Sequence, residues 1–251
     1  MPDFDAILFD AGGVLVVPTP SAVRSLLAPY GAAVDDATVV RAHFAAAHAM
    51  DHARADGVRA EWPVYLQTFV AGTGVPQRHR EEATAAFAAE FDHWMWCHPI
   101  PGARDALAGL ADRGVPIGIV SNAGGQVQGE LARLGICRTV DAADAADAAG
   151  EDATAAGGLD GVPVACVVDS HVVGVAKPDP AIFADALNAL GLPASPRVAY
   201  VGDTVFYDVR AAAAAGLTPL LHDPFGFHAG DPLPSGPHRT LNRLANLLAL
   251  V

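Results

Sequence analysis

"DAILFDAGGVLVV", residues 5–17, joins a short apolar run to a carboxylate and then to a turn with almost no side chains. Four apolar residues precede Asp10, and Gly12 and Gly13 follow it closely. A short apolar run bounded by a turn is typical of a strand buried on both faces of a parallel sheet. In such sheets ligands bind at the carboxyl ends of the strands. The stretch therefore predicts a buried first strand that ends at a candidate functional residue, Asp10.

Four later apolar runs repeat this arrangement, and stretches with helical spacing alternate with them. The runs are "VPIGIVS" ending at Ser121, "VPVACVV" leading to Asp169, "RVAYVG" before Asp203, and "LTPLLH" after Gly216. Helical patterns such as "ARDALAGLADRG" and "PAIFADALNALG" lie between them, and both end on glycine, which is common at helix C-termini. This alternation of strands and helices predicts an α/β fold with a doubly wound parallel sheet.

One segment, residues 18–98, breaks the alternation, because it shows helical spacing and no convincing strand. Prolines lie near both of its ends, and "HPIPG" at residues 98–102 marks the return to the strand–helix pattern. We therefore predict two domains. Residues 1–17 and 99–251 form the α/β core domain, and residues 18–98 form a small helical cap domain.

A second irregular segment, residues 141–161, is the low-complexity acidic stretch "DAADAADAAGEDATAAGGLDG". Small and acidic residues of this kind do not build a hydrophobic core. We expect the segment to be a surface excursion before the third strand, part helix and part loop.

The composition limits the partners and the compartment that we expect. The chain has 251 residues, 52% of them hydrophobic, which is enough for one sizeable domain or a domain with an insert. Its formal net charge of −13 disfavours nucleic acid, although a metal ion or a lysine can still attract an anionic small substrate locally. Three dispersed cysteines and the lack of a recognisable signal peptide or membrane span favour a cytoplasmic protein. We expect a monomer or a homodimer.

Polar side chains follow the predicted strands at the points where the strands end. Because the carboxyl ends of parallel strands meet at one edge of a sheet, we expect these side chains to share a crevice. Three carboxylates in one crevice repel one another unless a divalent cation neutralises them, and their hard oxygen ligands favour Mg²⁺. Such a constellation suits the transfer of a phosphoryl group. The side chains are those of Asp10, Ser121, Asn122, Lys177, Asp203 and Asp208.

Four short motifs, in order, resemble those of the haloacid dehalogenase (HAD) superfamily of aspartate-nucleophile hydrolases. They are "FDAGGVL", "IVSN", "KPDPAIF" and "VGDTVFYD", and the resemblance spans residues 5–222 apart from the two irregular segments. The position of the helical insert resembles that of the small cap in the subfamily that inserts it after the first motif. The resemblance implies a HAD-like Rossmannoid core, Mg²⁺ as cofactor and a small phosphorylated metabolite as substrate.

The resemblance also implies roles for individual residues. Asp10 would attack phosphorus to form an aspartyl-phosphate, and Lys177 would hold Asp10 ionised and bind the phosphate. The remaining phosphate-binding groups would be Ala11, Gly12, Ser121 and Asn122. The metal ligands would be Asp10, Gly12 through its carbonyl, Asp203 and Asp208.

The main departure from the family pattern is Gly12. Typical phosphatases of the family carry a second aspartate at this position, which protonates the leaving oxygen and later activates water. Its absence removes general acid–base help worth about 10² to 10⁴ in rate. A substrate with a good leaving group, or an acid supplied by the cap, would compensate.

Gly12 also leaves other functions open. Dehalogenases of the family that act on 2-haloacids lack the second acid too, but they need no metal and tend to replace the acid that corresponds to Asp203. A catalytically silent binding protein and an intramolecular phosphomutase are further alternatives. Because "GDTVFYD" keeps both Asp203 and Asp208, we favour the phosphatase.

The cap has to recognise the substrate, because the core motifs contact only the phosphate. Our candidates for this role are His52, Arg54 and Arg59. His48 and His52 are four residues apart and so share a helix face. They indicate either a second metal site or, as we favour, a polar outer face of a cap helix.

Overall fold

The computed structural model describes residues 3–57, 61–140, 161–230 and 238–251. Nearly all of the acidic stretch at 141–161 therefore lies outside the described residues, as does the cap candidate Arg59. The expectation of a surface excursion there stays a prediction.

A parallel six-stranded sheet forms the centre of the fold. From one edge to the other its strands are Arg239–Leu241 (β10), Thr218–His222 (β9), Val198–Gly202 (β8), Ala6–Phe9 (β1), Ile117–Ser121 (β4) and Cys166–Asp169 (β7). The first strand is central, since Ile7 of β1 is in register with Ala199 of β8 and with Ile117 of β4. This order confirms the predicted α/β class with a doubly wound parallel sheet.

In the described residues, five helices follow strands of the α/β part, and four helices belong to the helical insert. The first group is Ala103–Ala111 (α5), Val127–Arg133 (α6), Ser170–Val173 (α7), Ala184–Leu190 (α8) and Arg210–Ala214 (α9). The insert contains Pro20–Leu27 (α1), Asp36–Ala55 (α2), Trp62–Gly72 (α3) and Arg80–Glu90 (α4). A single π-helical turn, Val205–Val209, leads into α9, and 3₁₀ turns include His93–Met95 and Pro180–Phe183. Helix α2 begins where the Asp35 carboxylate accepts a hydrogen bond from the Thr38 N–H, the usual N-cap arrangement.

Alternate residues of the central strands pack on opposite faces of the sheet. Ile7 and Phe9 of β1 belong to one apolar cluster, together with Leu107 of α5. Leu8 belongs to the cluster on the other face, with Phe183 and Tyr200. Each large side chain buried in this way stabilises the fold by roughly 1.5–3 kcal/mol, which explains why the central strands read as continuous apolar runs.

The helical insert has an apolar cluster of its own. Phe69 of α3 and Phe87 of α4 stack with ring centroids 5.1 Å apart, and both are fully buried. Met95 lies in the same cluster, and Trp96 packs against both this cluster and that of the sheet. The division into a core and a cap domain stays a prediction, and a separate cluster in the insert is what that division requires.

Two details of the predicted strands are wrong. The run "VPVACVV" forms two strands, because the chain leaves the extended line at Ala165, whose N–H donates to the Ile117 carbonyl. Only β7 joins the central sheet, while Val162–Val164 (β6) pairs with Cys137–Thr139 (β5) in a small sheet of its own. The edge strand β10 was not predicted, because the three residues "RTL" are too few and too polar to form a recognisable apolar run.

The helical insert leaves and rejoins the sheet through a short antiparallel pair that the sequence analysis also missed. Val16–Val17 (β2) pairs with His98–Pro99 (β3), with Val16 opposite Pro99. The two ends of the insert are therefore held side by side. Within the described parts of the chain, no helix has both the length and the apolar character needed to cross a membrane.

Candidate active site

The ends of three adjacent strands bring the predicted site residues together. Asp10 follows β1, Ser121 ends β4, and Asp203 follows β8. Since β1 lies between the other two strands, Asp10 lies between the two flanking groups. Asp10 is buried, and its Oδ1 accepts a hydrogen bond from the Ala11 N–H at 2.7 Å.

Three buried carboxylates form the centre of the site. Oxygens of Asp10, Asp203 and Asp208 all lie within 4.8 Å of one another. Burial raises the pKa of Asp10 to about 7, although Lys177 opposes the rise. Burial raises the pKa of Asp203 as well. Because hard oxygen ligands at this spacing suit a small divalent cation, the donor set fits Mg²⁺.

Lys177 is the cation that the fold itself supplies to these acids. Its Nζ donates to Asp10 Oδ2 at 2.6 Å, to Asp208 Oδ1 at 2.7 Å and to the Tyr200 hydroxyl at 2.7 Å. Burial lowers the pKa of Lys177, but the two carboxylates outweigh burial and raise it. All three ammonium protons of Lys177 thus have an acceptor, and its positive charge lies next to the Asp10 carboxylate.

The surroundings of Lys177 fix its position from two sides. The Asn122 side chain clamps its backbone, since Oδ1 accepts from the Lys177 N–H at 2.8 Å and Nδ2 donates to the Lys177 carbonyl at 3.0 Å. Asp208 is fixed in turn, because its Oδ2 accepts from the Thr204 N–H and hydroxyl. Burial would raise the pKa of Asp208, but Lys177 and Thr204 hold it below its usual value. Sequence reasoning missed the Asn122 clamp and the role of Tyr200.

The two glycines after Asp10 make room for different neighbours. At Gly13, which has φ of +70°, a Cβ would lie 2.2 Å from Asp203 Oδ2. At Gly12, where the family pattern has the second acid, a Cβ would lie 3.3 Å from the Trp96 ring. The place of the missing acid is therefore covered by an aromatic side chain.

His43 of α2 reaches the acids from the helical insert. Its Nε2 lies 3.0 Å from Asp203 Oδ2, and its Nδ1 lies 2.9 Å from the Tyr65 hydroxyl. The ring is almost completely buried and packs edge-on against Trp96. Nothing in the local sequence distinguishes His43 from the other histidines of α2, and only the packing of the insert identifies it.

A second contact from α2 anchors the insert beside the fourth motif. The Asp51 carboxylate accepts hydrogen bonds from the Val205 and Phe206 N–H groups at 2.7 and 2.8 Å. These two groups open the π-helical turn that carries Asp208, and an acid at a helix N-terminus is favourable. His228 also donates to Asp51, which raises the pKa of His228 although burial lowers it.

A cavity of about 500 Å³ lies over the acids, between the strand ends and the helical insert. The structure brings every predicted catalytic, phosphate-binding and metal-binding residue to its wall: Asp10, Ala11, Gly12, Ser121, Asn122, Lys177, Asp203 and Asp208. Four aromatic side chains of the insert also line the cavity and are here called the aromatic wall: Trp62, Tyr65, Phe91 and Trp96. The roles of the eight predicted site residues in binding and catalysis stay predictions.

A sequence profile of the haloacid dehalogenase-like hydrolases matches residues 4–216. The chain belongs to this family. The match includes both the strand ends that carry the acids and the helical insert, so the HAD-like fold and hydrolase class are established. Among curated proteins no sequence matches the chain significantly.

Solved structures of this superfamily share the fold at low sequence identity. A predicted phosphoglycolate phosphatase from Haemophilus somnus superposes with a TM-score of 0.56 at 18% identity, covering 100% of this chain and 99% of that one. A dehalogenase with an intermediate complex gives 0.55 at 17% identity, covering 100% and 98%. A putative HAD-hydrolase from Bacillus subtilis bound to magnesium gives 0.54 at 16% identity, covering 98% of each chain. Neighbours of both reaction types share the fold, so the fold alone leaves the substrate class of this hydrolase open.

Two of the three cap candidates, His52 and Arg54, do not line the cavity of this HAD-like hydrolase. Arg54 packs over the Phe206 ring, and its NH1 lies 3.4 Å from Glu61 Oε2. His52 lies against His48, with the two Nε2 atoms 3.1 Å apart. Neither His52 nor Arg54 is among the described lining residues, and Arg59 is outside the described part of the chain.

The histidine pair of α2 does not form a polar outer face. His48 stacks on Phe227 and packs edge-on against His228, so the pair faces the loop after β9. In the described residues, Asp10, Asp203 and Asp208 are the only three His, Cys or acidic side chains close enough together to hold a metal ion. The pair is better described as packing between insert and core than as a second metal centre.

Proposed function

We propose that this hydrolase is a Mg²⁺-dependent phosphomonoester phosphatase that acts on a small phosphorylated molecule. The observation that carries the proposal is the cluster of three buried acids, Asp10, Asp203 and Asp208, with the Lys177 ammonium between two of them. Phosphoryl transfer needs positioning and charge neutralisation more than covalent help from the protein. This cluster supplies both at the end of a buried strand.

In the proposed reaction Asp10 is the nucleophile. One of its carboxylate oxygens forms a bond to phosphorus while the bond from phosphorus to the leaving oxygen breaks, which gives an aspartyl-phosphate. Lys177 orients Asp10 and offsets negative charge, and Ser121 with the backbone N–H of Gly12 would hold the phosphoryl oxygens. The Ala11 N–H, which donates to Asp10 Oδ1, would help to position the nucleophile. Water then attacks the same phosphorus, which releases inorganic phosphate and restores the Asp10 carboxylate.

The cation would be held by the carboxylates of Asp10, Asp203 and Asp208 and by the Gly12 carbonyl. When bound, it would supply positive charge against the acids and the phosphoryl oxygens. Such a charge would act in the same direction as Lys177, against the burial that raises the pKa of Asp10 and so disfavours the ionised nucleophile.

The test is hydrolysis of a chromogenic aryl phosphate with Mg²⁺ and after removal of metal with EDTA. We expect turnover that EDTA abolishes and added Mg²⁺ restores, and that falls by about 10⁴-fold or more in Asp10→Asn. Turnover that persists in EDTA, or that survives in Asp10→Asn, would contradict the proposal.

A second candidate, hydrolytic removal of halogen from a 2-haloacid, is favoured by one observation. Gly12 supplies no acid, and carbon–halogen cleavage needs none, because halide leaves without a proton. In that case Asp10 would attack carbon, and halide release would be unaffected by EDTA. The retained Asp203, buried beside Asp10, argues for the phosphatase.

A further inference from the structure

Resting on the phosphatase function proposed above, we propose that the substrate is the phosphate monoester of an aromatic alcohol that carries no second anionic group. Three features of the cavity lead to this substrate class: the aromatic wall, the charges of the lining and the position of Trp96 over Gly12. Each of them bears on the leaving group rather than on the phosphate.

The aromatic wall provides a surface on which a ring can stack. Trp62 and Tyr65 lie parallel, with ring centroids 4.7 Å apart and an interplanar angle of 2°. Phe91 contacts both Trp62 and Trp96, at centroid distances of 5.5 and 5.8 Å. Tyr65 is almost completely buried under Trp62, so the ring that is exposed to a substrate is that of Trp62, and a substrate ring packed on it would gain affinity beyond simple area burial. Apolar neighbours continue the surface, since Met50, Val127 and Leu131 also line the cavity.

The charges of the lining disfavour a second anion on the substrate. Lys177 is the only Lys or Arg among the described lining residues, and its three protons are directed to Asp10, Asp208 and Tyr200. The other charged side chains away from the acid cluster, Asp92 and Glu130, are themselves acidic. Arg133, which is not among the lining residues, donates to Glu130 at 2.9 Å and so balances its charge. A carboxylate or second phosphate on the leaving group would therefore find no further Lys or Arg among the described lining residues to pair with.

The position of Trp96 agrees with a leaving group that needs no acid. The Trp96 ring covers Gly12, where the family pattern has the aspartate that protonates the leaving oxygen. A phenol is a far stronger acid than an aliphatic alcohol, as the tyrosine pKa of about 10 illustrates. A phenolate can therefore depart without a proton donor at position 12, and its ring would lie against the aromatic side chain that replaces the donor.

The test uses three comparisons of kcat/KM with Mg²⁺ on the full-length protein. Phenyl phosphate should exceed benzyl phosphate, because its leaving group is more acidic. Benzyl phosphate should exceed cyclohexylmethyl phosphate by about tenfold, because both release a primary alcohol and only one carries a flat ring. 4-Carbamoylphenyl phosphate should exceed 4-carboxyphenyl phosphate by about tenfold or more, because only the latter adds an anion.

A matched pair of variants assigns the ring preference to the aromatic wall. Trp62 and Trp94 are each 45% exposed, but only Trp62 lines the cavity. In Trp62→Ala the benzyl-to-cyclohexylmethyl ratio should fall towards one, chiefly through KM for the benzyl ester. In Trp94→Ala the ratio should stay as in the wild type. Because both side chains are half exposed, both variants should fold, which a thermal unfolding curve checks.

The outcomes separate this inference from the function on which it rests. Equal kcat/KM for the ring-matched pair, or a preference for esters with a second anion, would overturn the substrate class while leaving a working phosphatase. An unchanged ratio in Trp62→Ala would overturn the role of the aromatic wall. If no ester of the panel is hydrolysed, the phosphatase function and the substrate class fall together.

Discussion

Gly12 and Gly13, although adjacent, are required by different contacts. Gly13 has a positive φ and lies so close to Asp203 that any side chain would displace that carboxylate. Gly12 has no such backbone need, and the atoms nearest to a Cβ there belong to the ring of Trp96. The loss of the family's second acid is therefore linked to an aromatic residue from the helical insert.

This link predicts how an acid can be restored. Gly12→Asp alone should not raise kcat on benzyl phosphate, because the Trp96 ring lies where the new carboxylate has to go. Added to Trp96→Leu, the same substitution should raise kcat by about 10- to 100-fold over Trp96→Leu alone, because general acid help becomes possible. Gly12→Ala controls for added bulk. A faster Gly12→Asp single variant would show that Trp96 does not exclude the acid.

At the scale of single elements, β4 shows how closely the central sheet is packed. A Cβ on Gly118 would lie 2.7 Å from Leu8 Cδ2 and 3.0 Å from Cys166 Sγ. Leu8 and Cys166 belong to the two neighbouring strands, so Gly118 lets their side chains meet across β4. In the run "IGIVS", Gly118 is therefore explained by the packing of the neighbouring strands, because glycine itself has a low strand propensity.

A pair of glycine substitutions tests this packing. Gly118→Ala should lower the free energy of unfolding by about 1–3 kcal/mol, because the added methyl group overpacks the sheet. Gly129→Ala, in α6 with open space around it, should raise the free energy of unfolding by about 0.5–1 kcal/mol. Urea unfolding followed by circular dichroism measures both. Equal effects of the two substitutions would contradict the close contact at Gly118.

The strand ends could be predicted from the sequence, whereas the wall of the cavity could not. Asp10, Ser121 and Asp203 each follow an apolar run directly, so the parallel-sheet rule alone brings them together. His43 and Trp96 reach the site only because the helices of the insert pack in one particular way. The sequence predicts that those helices exist, but not which of their faces meets the acids. The candidates His52 and Arg54 were chosen by residue type, and they lie outside the cavity lining.

At the scale of the whole molecule, the helical insert is tied to the sheet by buried polar groups as well as by apolar contact. Asp51 binds the turn before α9, His43 binds Asp203, and Phe44 packs edge-on against His222 of β9. His222 Nδ1 lies 3.2 Å from the Gly13 carbonyl. The turn after Asp10 is thus fixed from both the insert and the sheet.

His222 predicts a pH dependence of stability. Burial lowers its pKa from the usual 6.5 to about 4, although the bond to Gly13 opposes this. As the pH decreases, the unfolded chain therefore takes up a proton at His222 before the folded chain does. The contribution of His222 to the free energy of unfolding is fully present above pH 6.5 and is lost as the pH decreases towards 4. His222→Phe should remove about 2 kcal/mol of the loss in unfolding free energy between pH 7 and pH 5. Urea unfolding at these two pH values measures it.

His79→Gln, a partly exposed histidine of the insert, is the matched control for His222. It controls for the loss of a histidine that lies away from the turn after Asp10. His228, whose pKa is raised, contributes in the opposite direction, because its contribution to stability is lost as the pH rises through its pKa. Comparing the pH dependence of the unfolding free energy in wild type and His222→Phe isolates the contribution of His222. An identical pH dependence in His222→Phe and wild type would contradict the prediction.

The most direct test of the proposed function is to trap the nucleophile in its covalent form. The protein is mixed with phenyl phosphate and Mg²⁺, quenched in acid within the first turnover, and reduced with borohydride, which converts an aspartyl-phosphate to homoserine. We expect homoserine at position 10 in the tryptic peptide ending at Arg24, and its absence in Asp10→Asn. Phosphate release without any homoserine at position 10, or homoserine at a different aspartate, would contradict attack by Asp10.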